Sequence, residues 1–154
     1  YPAVGSNAPE FSAAASNGQT VRLSQFKGNP VVLYFYPRDN TSGCTKEACG
    51  FRDSHQKLIA AGAVVLGVSP DSVASHQKFA EKYELPFLLL ADEDHKIASA
   101  YGAWQEKSLY GRKYMGIART TFVIDKSGRI AHVFSGVKPV GHDEEVLAWI
   151  KANL

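Results

Sequence analysis

Short apolar runs alternate along the chain with amphipathic stretches, which predicts alternating strands and helices. Runs rich in β-branched and aromatic residues predict three buried strands: NPVVLYFYP at 29–37, AVVLGVS at 63–69 and LPFLLLAD at 85–92. Apolar residues spaced by three or four predict four helices, at 45–61, 72–83, 93–102 and 142–154. Ser72 or Asp71 is the expected cap of the second helix, and acidic residues occupy the first turn of the last.

Two hairpins complete the predicted order of elements. PEFSAA, a turn at Asn17-Gly18 and TVRLSQF predict one at the N-terminus, and TTFVID, KSG and RIAHVFSG predict another near the end. Strands that alternate with helices indicate parallel crossovers, and the late hairpin adds antiparallel strands. We therefore expect an α/β thioredoxin-like fold, with a mixed central sheet flanked by helices on both faces and an N-terminal β-hairpin. A single domain over residues 1–154 is expected.

Composition narrows the classes of function. With 154 residues, 45% hydrophobic and 21% charged, the chain can bury a core without disulfide support. A net charge of +2 without a basic block argues against nucleic-acid binding, and the apolar runs are too short to span a bilayer. No signal peptide opens the chain, so we expect a cytoplasmic location. The chain starts at Tyr1 rather than Met, which leaves processing or export open.

Cys44 and Cys49, the two cysteines of the chain, follow the first predicted strand. They could form a structural crosslink, belong to a metal site, or act as a reactive pair; without context, two such thiols are more often inert than catalytic. Cys44 is expected where the strand's carboxyl end meets a helix N-terminus, the usual place for ligands in open α/β sheets. Positive helix ends and backbone N–H groups lower cysteine pKa values to about 3.5–7.5.

The spacing of the two cysteines favours a cycle with two conformations. Five helical steps place the side chains about 140° apart and the Cα atoms roughly 8–9 Å apart. A disulfide needs a Cα separation of about 4.4–6.8 Å. The sulfurs therefore cannot bond while the segment is helical, and its first turns must unwind first.

The stretch YFYPRDNTSGCTKEACGFRD resembles the active-site segment of peroxiredoxins, and GCTKEAC resembles the peroxiredoxin Q, or bacterioferritin comigratory protein, group. The family's pattern of Pro, three residues, Thr, two residues and Cys is met by Pro37, Thr41 and Cys44. Similar stretches run through VVLGVSPDS, HQKFAEKY, LPFLLLAD and YMGIARTTFVID, so the resemblance covers essentially the whole chain. Ser42 departs from the Pro of many relatives and is expected to alter the stiffness of the loop.

The resemblance implies roles for individual residues. Cys44 would be the peroxidatic cysteine and Cys49 the resolving one, joined in an intramolecular disulfide after oxidation. Arg119 would hold the thiolate and, with Thr41, polarise the peroxide, while Pro37 would shield one side of the pocket. The implied substrates are hydrogen peroxide and alkyl hydroperoxides, with thioredoxin as reductant and antioxidant defence as the purpose. Relatives of this type are commonly monomeric, so the resemblance also implies a monomer. No metal, haem, flavin or other cofactor is implied.

Several residues also have plainer interpretations. Thr41 alone would be a turn or capping residue and Arg119 a surface or ion-pairing residue. Glu47 is most simply a first-turn acid that favours the helix dipole, with positioning of Arg119 as the alternative. The histidines are expected to be solvated or structural: His55, His76, His95, His132 and His142.

Three other functions compete with the peroxidase. A thioredoxin-type disulfide oxidoreductase usually has two residues between its cysteines, whereas four lie here. A copper-binding thioredoxin fold would need a histidine beside both cysteines. A purely structural protein would have unreactive thiols. Trp104, Tyr110 and Tyr114, in a segment with Gly and Lys, are expected to pack over the active-site side.

Overall fold

A five-stranded mixed sheet forms the centre of the computed structural model, which describes residues 1–154. The strands are β1 Ser12–Ala14, β2 Thr20–Arg22, β3 Val31–Phe35, β4 Val64–Ser69, β5 Leu88–Ala91, β6 Trp104–Leu109, β7 Arg112–Ile117, β8 Thr120–Ile124 and β9 Ile130–Phe134. The helices are α1 Ser42–Ala60, α2 Val73–Tyr83, α3 Lys96–Ala100 and α4 His142–Asn153, and a 3₁₀ turn covers Leu23–Phe26. The central sheet has the order β5-β4-β3-β8-β9.

The central strand β3 is buried on both faces, which explains its continuous apolar sequence. It pairs in parallel with β4 and antiparallel with β8, so neither edge is free. Val31, Leu33 and Phe35 point to one side of the sheet, and Val32 and Tyr34 point to the other. Each face therefore has its own apolar core.

The two cores are covered by different elements. Residues of α1, α2 and α4 pack on one face, including Phe51, Phe79 and Val146. The N-terminal hairpin of β1 and β2 packs on the other face together with α3. This arrangement confirms the predicted thioredoxin-like fold, with its mixed sheet, flanking helices and N-terminal hairpin.

Three features differ from the predictions. Helix α3 covers only Lys96–Ala100 of the predicted 93–102. Helix α1 begins at Ser42 rather than Thr45, so Cys44 lies inside its first turn. Residues 104–117, to which no element was assigned, form the antiparallel hairpin of β6 and β7. Its turn residues Tyr110 and Gly111 have φ angles of +51° and +78°.

None of the helices combines the length and the apolar character that crossing a bilayer requires.

Candidate active site

Cys44 occupies the first turn of α1, at the carboxyl end of β3. Thr41 is the N-cap residue, in extended backbone conformation, and its carbonyl accepts the first helical hydrogen bond from the Thr45 N–H at 2.9 Å. The N–H groups of Ser42, Gly43 and Cys44 precede that bond and therefore have no acceptor within the helix. Such N–H groups, at the positive end of the helix, favour an anion beside them. Cys44 itself is only 1% exposed.

Arg119 is the residue immediately before β8, and its guanidinium contacts Cys44. Its Nη2 donates to Cys44 Sγ at 3.3 Å, and its Nη1 donates to Glu47 Oε1 at 2.7 Å. The backbone carbonyl of Arg119 accepts a hydrogen bond from the Val137 N–H at 3.2 Å, which fixes the backbone at Arg119. A single guanidinium thus contacts both the sulfur and a carboxylate one helical turn away.

Burial disfavours the charged forms of both Glu47 and Arg119. The side chain of Glu47 is fully buried and that of Arg119 is 18% exposed. Burial raises the pKa of Glu47 to about 7, although the charge and hydrogen bond of Arg119 act to lower it. Burial acts to lower the pKa of Arg119, but Glu47 and Cys44 outweigh this effect and the pKa is raised. Arg119 therefore stays cationic beside the sulfur.

Three segments distant in sequence close the pocket. A Cβ at Gly43 would lie 3.3 Å from Arg119 Nη2 and 3.4 Å from Pro139 Cγ, so glycine allows this close packing. Lys107 of β6 is near enough to respond to these charges: burial lowers its pKa, the charge of Arg119 lowers it further, and Cys44 opposes this. Neither Lys107 nor Pro139 is predictable from the cysteine motif, because neither residue belongs to it.

Thr41 and Pro37 lie in the segment between β3 and α1, and neither makes a hydrogen bond to the sulfur. Thr41 Oγ1 donates to the Arg38 carbonyl at 3.1 Å rather than to Cys44. This bond leaves the lone pairs of the hydroxyl oxygen free to accept. Pro37 is half-buried, two residues after the end of β3. Both residues thus belong to the segment that leads from β3 into the helix of Cys44.

Cys49 lies on the same helix as Cys44, and both thiols are free. Cys49 is half-buried, and continuous helical geometry keeps its Cα roughly 8–9 Å from that of Cys44. This is the separation inferred from the sequence for the helical form. A bond between the sulfurs requires the helix to open between them.

The structure gives no support to a copper site. The one group with metal-ligand proximity consists of Asp39, Asp71 and His76, and it contains neither cysteine. His142 is also buried, with Nε2 2.7 Å from Thr121 Oγ1. The two buried histidines, His76 and His142, thus both make hydrogen bonds within the protein.

Tyr110 does not pack over the site as expected. It is 97% exposed at the hairpin tip, because the turn directs its side chain into solvent. The Trp104 ring stacks on His95 with centroids 3.8 Å apart.

A thioredoxin-like sheet that presents a helix-start thiol to a guanidinium defines a class of thiol-based redox enzymes, and comparison with known proteins identifies the family. The AhpC/TSA family matches residues 4–133, and the chain belongs to this family. It is 50% identical over 148 residues to peroxiredoxin Bcp of Bacillus subtilis, covering 96% of this chain and 94% of that protein. It is 46% identical over 149 residues to peroxiredoxin Bcp of Escherichia coli, covering 97% and 96%.

Solved structures agree with this assignment. A cysteine-to-serine mutant of PrxQ from Xylella fastidiosa has a TM-score of 0.93 at 35% identity, covering 99% of this chain and 97% of that one. Bacterioferritin comigratory protein from Xanthomonas campestris, studied for alkyl peroxide reduction, has a TM-score of 0.89 at 37% identity, covering 92% and 90%. The predicted resemblance is confirmed: the chain is a thiol peroxidase of the Bcp/peroxiredoxin Q group.

Proposed function

We propose that Cys44 is the peroxidatic cysteine and that Arg119 stabilises its thiolate. The supporting observation is the 3.3 Å contact between Arg119 Nη2 and Cys44 Sγ. The thiolate attacks one oxygen of the hydroperoxide, an S–O bond forms and the O–O bond breaks. The other oxygen takes a proton and leaves as water or an alcohol, and Cys44 becomes a sulfenic acid.

Thr41 and the free N–H groups of the first turn orient the peroxide in this proposal. Because its proton is donated to the Arg38 carbonyl, the Thr41 hydroxyl accepts from the peroxide O–H. Arg119 and the N–H groups of Gly43 and Cys44 donate to the oxygens on which negative charge develops. Hydrogen bonds that strengthen with that charge lower the barrier.

Cys49 resolves the oxidised enzyme. After the helix opens, its thiolate attacks the sulfenic sulfur, an S–S bond forms, and the sulfenic oxygen leaves as water. Both thiols are free in the helical form and belong to one helix, which supports an intramolecular disulfide. An external dithiol then returns both cysteines to thiols by disulfide exchange.

Thioredoxin is the reductant we propose, together with hydrogen peroxide and alkyl hydroperoxides as substrates. The relative from Xanthomonas campestris, studied for alkyl peroxide reduction, supports the organic substrates. We also infer one catalytic domain over residues 1–154, a monomer and a cytoplasmic location, in keeping with the sequence-based expectations.

Serine substitutions of the two cysteines test the assignment. Cys44→Ser should abolish peroxide consumption. Cys49→Ser, its matched control, should still consume one equivalent of peroxide but lose thioredoxin-supported turnover. Mass spectrometry after that equivalent should find one added oxygen on Cys44. Full-rate cycling of Cys49→Ser with thioredoxin would rule out Cys49 as the resolving residue, and peroxide consumption by Cys44→Ser would rule out Cys44.

A further inference from the structure

A buried polar cluster holds the loop between β3 and α1, outside the set of residues that contact the sulfur. It consists of Asp39, Asp71 and His76, which we call the anchoring cluster. His76 is fully buried on α2, Asp39 is buried in the loop, and Asp71 is half-buried after β4. A buried polar group is retained at low cost only where it is hydrogen-bonded, so the partners of these residues are informative.

The Asp39 carboxylate is surrounded by hydrogen-bond partners from two elements. Tyr36 Oη donates to Oδ1 at 2.6 Å and Ser75 Oγ donates to Oδ2 at 2.8 Å. His76 Nδ1 lies 2.7 Å from the same Oδ2. The side chain of Asp39 is therefore fixed between the end of β3 and helix α2.

His76 links this carboxylate to the sheet. Its Nε2 lies 2.9 Å from the Leu90 carbonyl, which only accepts, so Nε2 carries a hydrogen. Its other ring nitrogen, Nδ1, makes the 2.7 Å contact with Asp39 Oδ2. Every polar atom of the imidazole is used by the protein, and the direct contact leaves no space for a metal ion between them.

The peptide unit that joins Arg38 to Asp39 connects the cluster to the active site. Its N–H, on Asp39, donates to Asp71 Oδ2 at 2.7 Å, and Ser69 Oγ donates to the same oxygen at 2.7 Å. Its C=O, on Arg38, accepts from Thr41 Oγ1 at 3.1 Å. Because a peptide unit is planar, the orientation of its N–H fixes that of its C=O.

The next residue is also held from α2. Asn40 has a φ of +59°, in the left-handed region that few residues other than Gly and Asn adopt readily. Its Oδ1 accepts from Lys82 Nζ at 3.3 Å and from Tyr83 Oη at 3.2 Å. Two consecutive residues before the N-cap Thr41 are thus fixed by contacts outside the loop.

We propose that Asp71, with the Asp39–His76 pair, positions the hydroxyl of Thr41 for the peroxide reaction through the Arg38–Asp39 peptide. This inference rests on the role proposed above for Thr41. Asp71 orients the N–H of the peptide, the peptide orients the Arg38 carbonyl, and the carbonyl orients the hydroxyl. Asp71 acts as a positioning residue and touches no reacting atom.

Two substitutions at Asp71 separate the loss of its acceptor oxygen from a change in side-chain volume. Asp71→Ala removes the acceptor of the Asp39 N–H and should lower the second-order rate constant for Cys44 oxidation by roughly tenfold or more. Asp71→Asn keeps an acceptor oxygen and should restore most of the rate. Alkylation of Cys44 by iodoacetamide does not use the Thr41 hydroxyl, so its rate should be unchanged in both variants. Asp94→Ala, at an exposed acid paired with Lys96, is the matched control and should react at the wild-type rate.

A double-mutant cycle tests the path itself. Thr41→Val removes the hydroxyl, and Asp71→Ala added to it should cost no further activity. Additive losses, or a wild-type rate of peroxide oxidation in Asp71→Ala, would overturn the positioning role. A wild-type rate in Thr41→Val would contradict the proposed role of Thr41 and this path with it, while leaving the Cys44 assignment intact. If Asp71→Ala does not fold, Ser69→Ala replaces it, and a wild-type rate there overturns the proposal.

Discussion

Helix α1 packs on the sheet along its whole length, but its two parts are held in different ways. The first part is the first two turns, residues 42–49, and the second part is the remainder, residues 50–60. In the first part the N-cap Thr41 makes no side-chain cap bond. The side-chain polar contacts of these turns with the rest of the protein come from Arg119, and Glu47 Oε2 is buried without a hydrogen-bond partner. An unpaired buried oxygen of this kind reduces the stability of the helical state by about 1–3 kcal/mol.

The second part is anchored to α4 and to the core. A Cβ at Gly50 would lie 2.7 Å from Asp143 Oδ1, and Ser54 Oγ donates to Asp143 Oδ2. Phe51 is fully buried and stacks on Tyr34 with ring centroids 4.8 Å apart. Leu58 is also fully buried. Local stability therefore changes along a single helix, close to the boundary between Cys49 and Gly50.

This difference explains how one helix serves two states. The helical state presents Cys44 to Arg119, and the disulfide state requires the same turns to open. Segments that rearrange are generally those with low local stability. The anchors at Asp39 and Asn40 before the helix, and at Asp143 next to Gly50, leave residues 41–49 free to change without unfolding the sheet.

The largest expected effect is on hydrogen exchange in the disulfide form. Oxidation should lower the protection of amides 45–52 by on the order of 100-fold or more, because their helical acceptors are lost on opening. Amides 54–60 should keep their protection. Mass spectrometry of exchanged peptides measures both, with peroxide-treated Cys49→Ser as the control that oxidises without forming the disulfide. Equal protection of 45–52 in both redox forms would contradict local opening.

A smaller effect is expected from Glu47 on the pH dependence of stability. Its pKa is about 7 in the folded protein against 4.5 for an ordinary glutamate, so the unfolded chain loses the proton first as pH rises. The free energy of unfolding should therefore fall between pH 5 and 8 by roughly 2–3 kcal/mol from this residue, then change little above it. Glu47→Gln should lack this decrease.

Urea unfolding of the reduced protein at pH 5 and pH 8 measures the Glu47 contribution. The pKa of His142 is lowered, mainly by burial, which adds stability as pH rises toward 6.5 in both proteins and cancels in the comparison. Glu106→Gln, at an exposed acid 3.7 Å from Lys113, should behave as wild type. Identical pH profiles for Glu47→Gln and wild type would show that Glu47 is ionised in the folded protein throughout this range.

The fold followed from the sequence wherever a segment is buried on a regular face. β3 and β4 are continuous apolar runs because other elements cover both faces of the sheet at these strands. The β6–β7 hairpin was missed because neither of its faces is consistently apolar: Leu109, Tyr114 and Met115 are all exposed. Its turn also places Tyr110 at positive φ, where glycine or asparagine is the usual signal.

The candidate site was predictable where its residues are close in sequence. Pro37, Thr41, Cys44 and Cys49 lie within one motif, and their loop and helix positions follow from it. Arg119 is 75 residues from Cys44, and only the family resemblance pointed to it. The sequence does not by itself indicate the pairing of Glu47 with Arg119, since it shows a first-turn acid but not its partner. The anchoring cluster joins three separate segments, which periodicity cannot bring together.

The smallest expected effect concerns the second part of α1. Ser54→Ala removes the donor to Asp143 Oδ2 and should lower the free energy of unfolding by about 1–3 kcal/mol, because a buried carboxylate oxygen loses its partner. In the disulfide form, the exchange-labile region should also extend beyond residue 52 toward Leu58. Ser99→Ala, at an exposed position in α3, should change stability by less than about 0.5 kcal/mol. If Ser54→Ala lowers stability but leaves the boundary of exchange unchanged, the limit of opening is set by the packing of Phe51 and Leu58 rather than by the contact with α4.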